Sequence, residues 1–204
     1  WKAWLRSAHT DFNDLPEKYV DLFNKSLLIV SAHTGGNGSI IASGDSDLLK
    51  QGRDAYAYVW GRDGALIVRA MNKAGYHTLT RRFLEFCAHA ITDEGFMLHK
   101  YRADGTLGSS WHPWVRNFKS ELPIQEDETA LIIVALWEYY QATKNIEFIE
   151  ENYDRLIESP SKFMVKYINP FLGLPDATYD LWEEKFGTST FTASTVYAAL
   201  NYAS

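Results

Sequence analysis

Helical periodicity recurs six times along this sequence, and the connections between the helices alternate between short and long. Residues 15–30, 64–74, 77–91, 125–144, 146–168 and 189–204 each carry apolar residues at helical spacing. Their ends are punctuated as helix ends should be: Pro16 in a first turn, Gly75 after the second helix, Asn169-Pro170 after the fifth. Ser159-Pro160 predicts an interruption within the fifth. Residues 131–137 are apolar on every side, which predicts a helix buried all round. The stretches 35–63, 92–122 and 170–188 far exceed ordinary helix–helix connections. They follow the first, third and fifth helices, so in an up-and-down array all three emerge at one end. The pattern predicts helical hairpins with a single elaborated rim.

That rim is rich in aromatic residues. The connection 92–122 holds Phe96, Met97, Leu98, Tyr101, Trp111, Trp114 and Phe118, residues that order a chain. The only extended region is 39–60, where Tyr56, Tyr58 and Trp60 fall on one face of a strand; a packing strand would more often use Val and Ile. The third connection contains Tyr179-Asp180-Leu181-Trp182-Glu183-Glu184. A carboxyl beside an aromatic wall has the surroundings that raise its pKa and make a general acid. The same acids could instead complement the dipole of a helix start. Taken alone, Arg62-Asp63 reads as a helix-start ion pair with Asp63 as cap. Asp127 and Glu128 read as a cap and a solvated face, His89 and His99 as satisfied core histidines, and Cys87 as a small core residue.

Twenty basic residues against 26 acidic ones give a net charge of −6, with no basic stripe to neutralise phosphates. A nucleic-acid partner is disfavoured and a neutral polar ligand fits better. No apolar run is long enough to cross a bilayer, and no metal or cofactor is expected. The chain begins at Trp1, so the expectation is a piece of a longer protein, with residues 1–14 a lead-in to a single domain at 15–204. The compartment is left open, the cytoplasm being slightly favoured.

The segments Tyr56-Ala57-Tyr58-Val59-Trp60-Gly61-Arg62-Asp63 and Asp180-Leu181-Trp182-Glu183-Glu184, in that order and both on the predicted rim, resemble glycoside hydrolase family 15. The stretches 105–114 and 125–130 resemble its prokaryotic branch. The resemblance implies an all-α fold: the first half, about six helices, of an (α/α)6 barrel, with a short β-hairpin-like insertion around 39–60. It implies that Glu183 is the general acid and that Arg62 and Asp63 hold the terminal sugar by its hydroxyls. Tyr56 would lie under the reacting ring, Trp60 and Trp182 would wall the pocket, and Leu181 would offer backbone groups. Glu184 would bind the next sugar, with Trp111 and His112 on the opposite lip. The implied activity is inverting, exo-acting hydrolysis of an α-glucoside, oligosaccharide or disaccharide. Inversion needs a second carboxylate about 6.5–9.5 Å from the acid. In the family it lies in the second half of the barrel, so the 204 residues alone are expected to be inactive and to pair with the remainder of their own barrel. The family's fungal branch carries a tryptophan where this chain has Glu121-Leu122-Pro123-Ile124-Gln125, which leaves the linkage open between α-1,4, α-1,6 and trehalose. A phosphorylase on a similar barrel would need a basic anion site. A non-catalytic sugar-binding barrel and a helical scaffold are the alternatives from other classes.

Overall fold

The computed structural model describes residues 1–8, 11–44 and 56–204. A short α1 (Lys2–Leu5) leads into α2 (Glu17–Ala32), followed by α3 (Gly61–Lys73), α4 (His77–Ala90) and α5 (Glu126–Thr143). Then come α6 (Ile146–Glu151), a π-helical turn (Asp154–Glu158), α7 (Ser159–Lys166) and α8 (Thr190–Ala203). Three antiparallel hairpins of two-residue strands decorate the connections: β1 with β2 (Val115–Arg116, Lys119–Ser120), β3 with β4 (Ile168–Asn169, Leu174–Pro175) and β5 with β6 (Thr178–Tyr179, Phe186–Gly187). All six expected helices are present, with α1 added inside the lead-in.

The axis of the fold is α5, which packs against α3 on one side and α8 on the other. Every residue from Glu126 to Leu136 is buried, and from Ala130 onward the stretch is apolar with no polar stripe to turn outward. Close approach of α3 and α4 depends on Gly64: a Cβ there would lie 2.1 Å from the ring of the fully buried Phe83. The interruption expected at Ser159-Pro160 is present as a new start: a separate helix begins at Ser159 without a gap in the chain's winding. The π-helical turn runs straight into α7, whose first turn accommodates Pro160 because no N–H is needed there. The same turn aims Arg155 at the C-terminal end of α4, where its guanidinium donates to the Ala88 and Ile91 carbonyls. At the other end of the chain, Trp4 lies 4.3 Å from the Tyr76 ring, and Tyr76 Oη donates to its carbonyl.

The extended insertion is partly visible. Ala42 N–H donates to Tyr58 O and Ser43 N–H to Tyr56 O, both at 2.9 Å, so the flanks of residues 39–60 run side by side. Ala55, in the second expected strand, lies outside the described residues. Val59 pairs instead with Tyr101, exchanging backbone bonds of 2.8 and 2.9 Å. That pairing ties the first long connection to the second. Among the described residues no helix is long and apolar enough to cross a membrane.

Candidate active site

The site is built on Arg62, the second residue of α3, which is 7% exposed. Its Nη1 donates to Gln125 Oε1 and, at 3.0 Å, to Asp127 Oδ2, while Glu128 Oε1 stands 3.7 Å away. Burial lowers the Arg62 pKa, but Glu128 and Asp127 more than reverse this, so the guanidinium stays charged. The acids pay for the same burial. Asp127 and Glu128 are pushed up chiefly by loss of water, with Arg62 pulling them back down. Glu126 is pushed up to about 8 by burial, then by Asp127 and Asp176, and neither of its oxygens has a hydrogen-bond partner among the described residues. The expected cap and solvated face at Asp127 and Glu128 is therefore incorrect. A helix enclosed from its first turn carries its opening acids inward with it.

Facing this floor is the β5–β6 hairpin. Asp180 N–H donates to Lys185 O, and Asp180 Oδ1 accepts from the N–H groups of Glu184 and Lys185 at 3.0 and 3.2 Å. The acidic run is thus a hairpin tip and not a helix start. Within it Glu183 adopts φ of 61°, a left-handed conformation that costs an ordinary residue energy and is met at functional turns. The result is that Glu183 alone turns inward, with 18% of its side chain exposed.

Glu183 Oε1 lies 3.0 Å from His99 Nε2. The Trp111 backbone N–H donates to His99 Nδ1 at 3.2 Å, so the only proton of this imidazole sits on Nε2 and points at the carboxylate. Gln125 is the second relay. Its Oε1 takes the Arg62 bond, so its amide nitrogen donates across 3.0 Å to His112 Nε2, and it also hydrogen-bonds Glu183. His112 is stacked between His99 at 4.2 Å and Tyr179 at 4.0 Å, the latter within 5° of parallel. Burial lowers the His112 pKa to about 4 and keeps the ring neutral. Burial pushes the Glu183 carboxyl up. His99, His112 and Gln125 outweigh that and leave it below the usual range, opposite to the raised value expected of an acid under an aromatic wall.

One atom from each of His99, His112 and Glu183 falls within a 4.8 Å sphere of the others, a spacing a divalent cation could span. The hydrogen bonds argue otherwise. An imidazole coordinating through Nε2 carries its proton on Nδ1, where the Trp111 N–H already points at His99, and the Gln125 amide occupies His112 Nε2.

The wall is aromatic. Trp60 is buried, with Tyr56 stacked 5.9 Å from it and Trp111 5.8 Å from both. The buried Lys100 places Nζ 3.4 Å from the Trp111 centroid, 4.5 Å from Tyr58 and 5.4 Å from Trp60, a cation held on three ring faces. Asp63 Oδ2 lies 3.9 Å from Arg62 Nε, and its side chain is 46% exposed. Burial raises its pKa, Arg62 lowers it and Glu183 raises it further, as for two carboxyls facing one space. A cleft of about 570 Å³ lined by Trp4, Thr34, Tyr76 and Arg82, among others, shares no residue with this constellation.

The family model of glycosyl hydrolases family 15 matches residues 18–204. The chain belongs to that family. An uncharacterized glycosyl hydrolase of Methanocaldococcus jannaschii is 31% identical over 149 residues, which is 72% of this chain and 21% of the relative. Trehalase 1 of Sulfolobus acidocaldarius is 26% identical over 178 residues, covering 78% of this chain and 31% of that protein. Trehalase 2 of the same organism is 28% identical over 153 residues, covering 66% and 27%. The chain therefore spans only about a fifth to a third of the curated relatives it matches. Two solved structures of glycosidase variants share the fold, each with a TM-score of 0.62 over 89% of this chain and 54% of theirs, at 15% and 14% identity. The mainly helical chain thus matches about half of a glycosidase structure.

In this family 15 chain the structure gathers Tyr56, Trp60, Arg62, Asp63, Trp111, His112 and Glu183 around one locus. It leaves Trp182, 74% exposed, and Glu184 on the outer side of the hairpin tip, with Leu181, just before Trp182, half-buried. Asp63 is the third residue of α3 and does not cap it. Three residues at this locus are not singled out by the sequence: His99, which reads as a core histidine, Lys100, and Gln125, which enters only as the first residue of the family-like stretch 125–130. The signal for His99 was its place in the aromatic connection, two residues before the Tyr101 that pairs with Val59.

Proposed function

We propose that this chain carries the acid-bearing half of the site of an inverting, exo-acting α-glucoside hydrolase. Glu183 protonates the glycosidic oxygen as the bond breaks, and glucose leaves from the non-reducing end. The observation that carries this reading is the inward turn of Glu183, whose carboxylate is joined through Gln125 to the buried Arg62. Asp63, half-exposed beside it, accepts from sugar hydroxyls, while Arg62 holds the floor charged and fixed. Tyr56, Trp60 and Trp111 offer ring faces to the apolar side of a pyranose and to the positive charge that grows on it in the transition state. A sugar covering Glu183 removes more water from it, which adds to the desolvation that already pushes its pKa up. The base that activates water belongs to the rest of the barrel, outside residues 1–204. The trehalases among the relatives make trehalose the first substrate to try, ahead of maltose and isomaltose.

One observation favours a second reading. The lowered pKa of Glu183 suits a carboxylate that accepts from hydroxyls in a non-catalytic sugar-binding barrel. The two readings part on glucose release by the full-length protein from trehalose, maltose and isomaltose, with the product anomer followed by NMR. We expect release of β-glucose from at least one, and loss of about 10³-fold or more in Glu183→Gln. No release from any of them, with sugar binding intact, would replace the hydrolase with the binder.

A further inference from the structure

We propose that His99 is the positioning residue of the acid: its Nε2–H fixes Glu183 Oε1 and so makes Oε2 the oxygen that carries the proton to the substrate. The proposal rests on the reading of Glu183 as the acid. Three features assign this role. First, the tautomer is set by the backbone: the Trp111 N–H at Nδ1 leaves Nε2 as the protonated nitrogen, and Ser110 Oγ at 3.5 Å adds a second neighbour on the same side. Second, the ring cannot turn away. His99 is 1% exposed, stacked on His112 at 4.2 Å and edge-on to Trp111 at 5.3 Å and Trp60 at 6.2 Å. Its chain is anchored two residues on by the Val59–Tyr101 bonds. Third, Glu183 needs holding. It sits at a hairpin tip whose neighbours Trp182 and Glu184 point to solvent, and a left-handed backbone directs the side chain without fixing its torsions.

The other groups facing Glu183 cannot substitute. Asp63 of α3 and Glu128 of α5 are carboxylates, and His112 has its Nε2 turned to Gln125. Gln125 of the α5 cap adds a hydrogen bond to the same carboxyl. The C=O oxygen of a neutral carboxyl is a stronger acceptor than its protonated oxygen, so an N–H held on Oε1 favours the proton on Oε2. The proton is therefore kept on Oε2, the side of the carboxyl not engaged by the imidazole.

The test uses the full-length enzyme and two substrates with the same glucosyl group. One is trehalose, or maltose if that is the better substrate, whose leaving oxygen needs a proton. The other is α-glucosyl fluoride, whose leaving group does not. His99→Leu is expected to lower kcat on the disaccharide by about 10²-fold, with KM changed only a few-fold and fluoride turnover largely kept. His99→Gln, which returns an N–H near the Nε2 position, is expected to recover about tenfold of the loss. Equal losses on both substrates, or no loss with His99→Leu, would overturn the proposal. A nitrogen NMR spectrum of the unmutated protein checks it without any variant: it should show the proton on Nε2, and a proton on Nδ1 would also overturn it. Glu183→Gln separates the two levels. If that variant keeps disaccharide turnover, the acid reading itself has failed; if it loses turnover while His99→Leu does not, only the positioning role has.

Discussion

Two short acidic runs in this molecule have nearly the same chemistry and opposite surroundings. Glu126, Asp127 and Glu128 open α5 and are fully buried. Asp180, Glu183 and Glu184 lie at the tip of a hairpin, where Glu184 is exposed and Asp180 is spent on pinning its own turn. The difference comes from the element beneath. A helix enclosed on all sides has no solvent face, so its acids are dragged inward and must find a cation or lose their charge. A hairpin has two faces, and a single left-handed residue at its tip selects which carboxylate goes in. The first run builds a floor and the second delivers one carboxylate to it.

The comparison can be broken at the buried run. Arg62→Met strips the only cation within 4 Å among the contacts described for Asp127 and Glu128, and should cost on the order of 3 kcal/mol by denaturant unfolding. A cost below about 1 kcal/mol would mean that the two acids are neutral and do not need the guanidinium. Glu126 probes the same run with the opposite sign. Its folded pKa of about 8 stands above the unfolded value of 4.5, so folding is unpenalised below about pH 4.5 and loses stability as pH rises towards 8. Glu126→Gln should therefore stabilise by on the order of 3 kcal/mol at pH 7, and by almost nothing at pH 4. A gain of equal size at both pH values would point to packing instead of charge. The hairpin should respond least. Trp182→Ala removes an exposed ring and should change stability by less than about 0.5 kcal/mol. A weakened affinity for disaccharide without a change in stability would sharpen its place at the sugar site.

The six helices were legible because each repeats apolar residues at 3.6 spacing between ordinary stop signals. The alternation of connection lengths was enough to place three loops together, and the His112–Tyr179 stack and the Val59–Tyr101 pairing show them meeting. Local signals misled where burial came from elsewhere. Pro160 marks the new helix start at Ser159 correctly, but nothing in the sequence announces the π-helical turn that leads into it. Glu126 to Glu128 read as a solvated first turn, because nothing in three acidic letters says that α3 and α8 close over them. His99 read as core, and it is buried; only the partner on its Nε2, 84 residues away, distinguishes a relay from a packed ring.

The central claim is that the carboxyl of Glu183 gives up a proton to the leaving oxygen. The most direct measurement is the ratio of kcat/KM for a natural disaccharide to that for α-glucosyl fluoride, in the full-length enzyme and in Glu183→Gln. The account predicts that the substitution collapses this ratio by about 10²-fold or more, because only the disaccharide needs the proton. An unchanged ratio, with both substrates slowed alike or neither slowed, would contradict it.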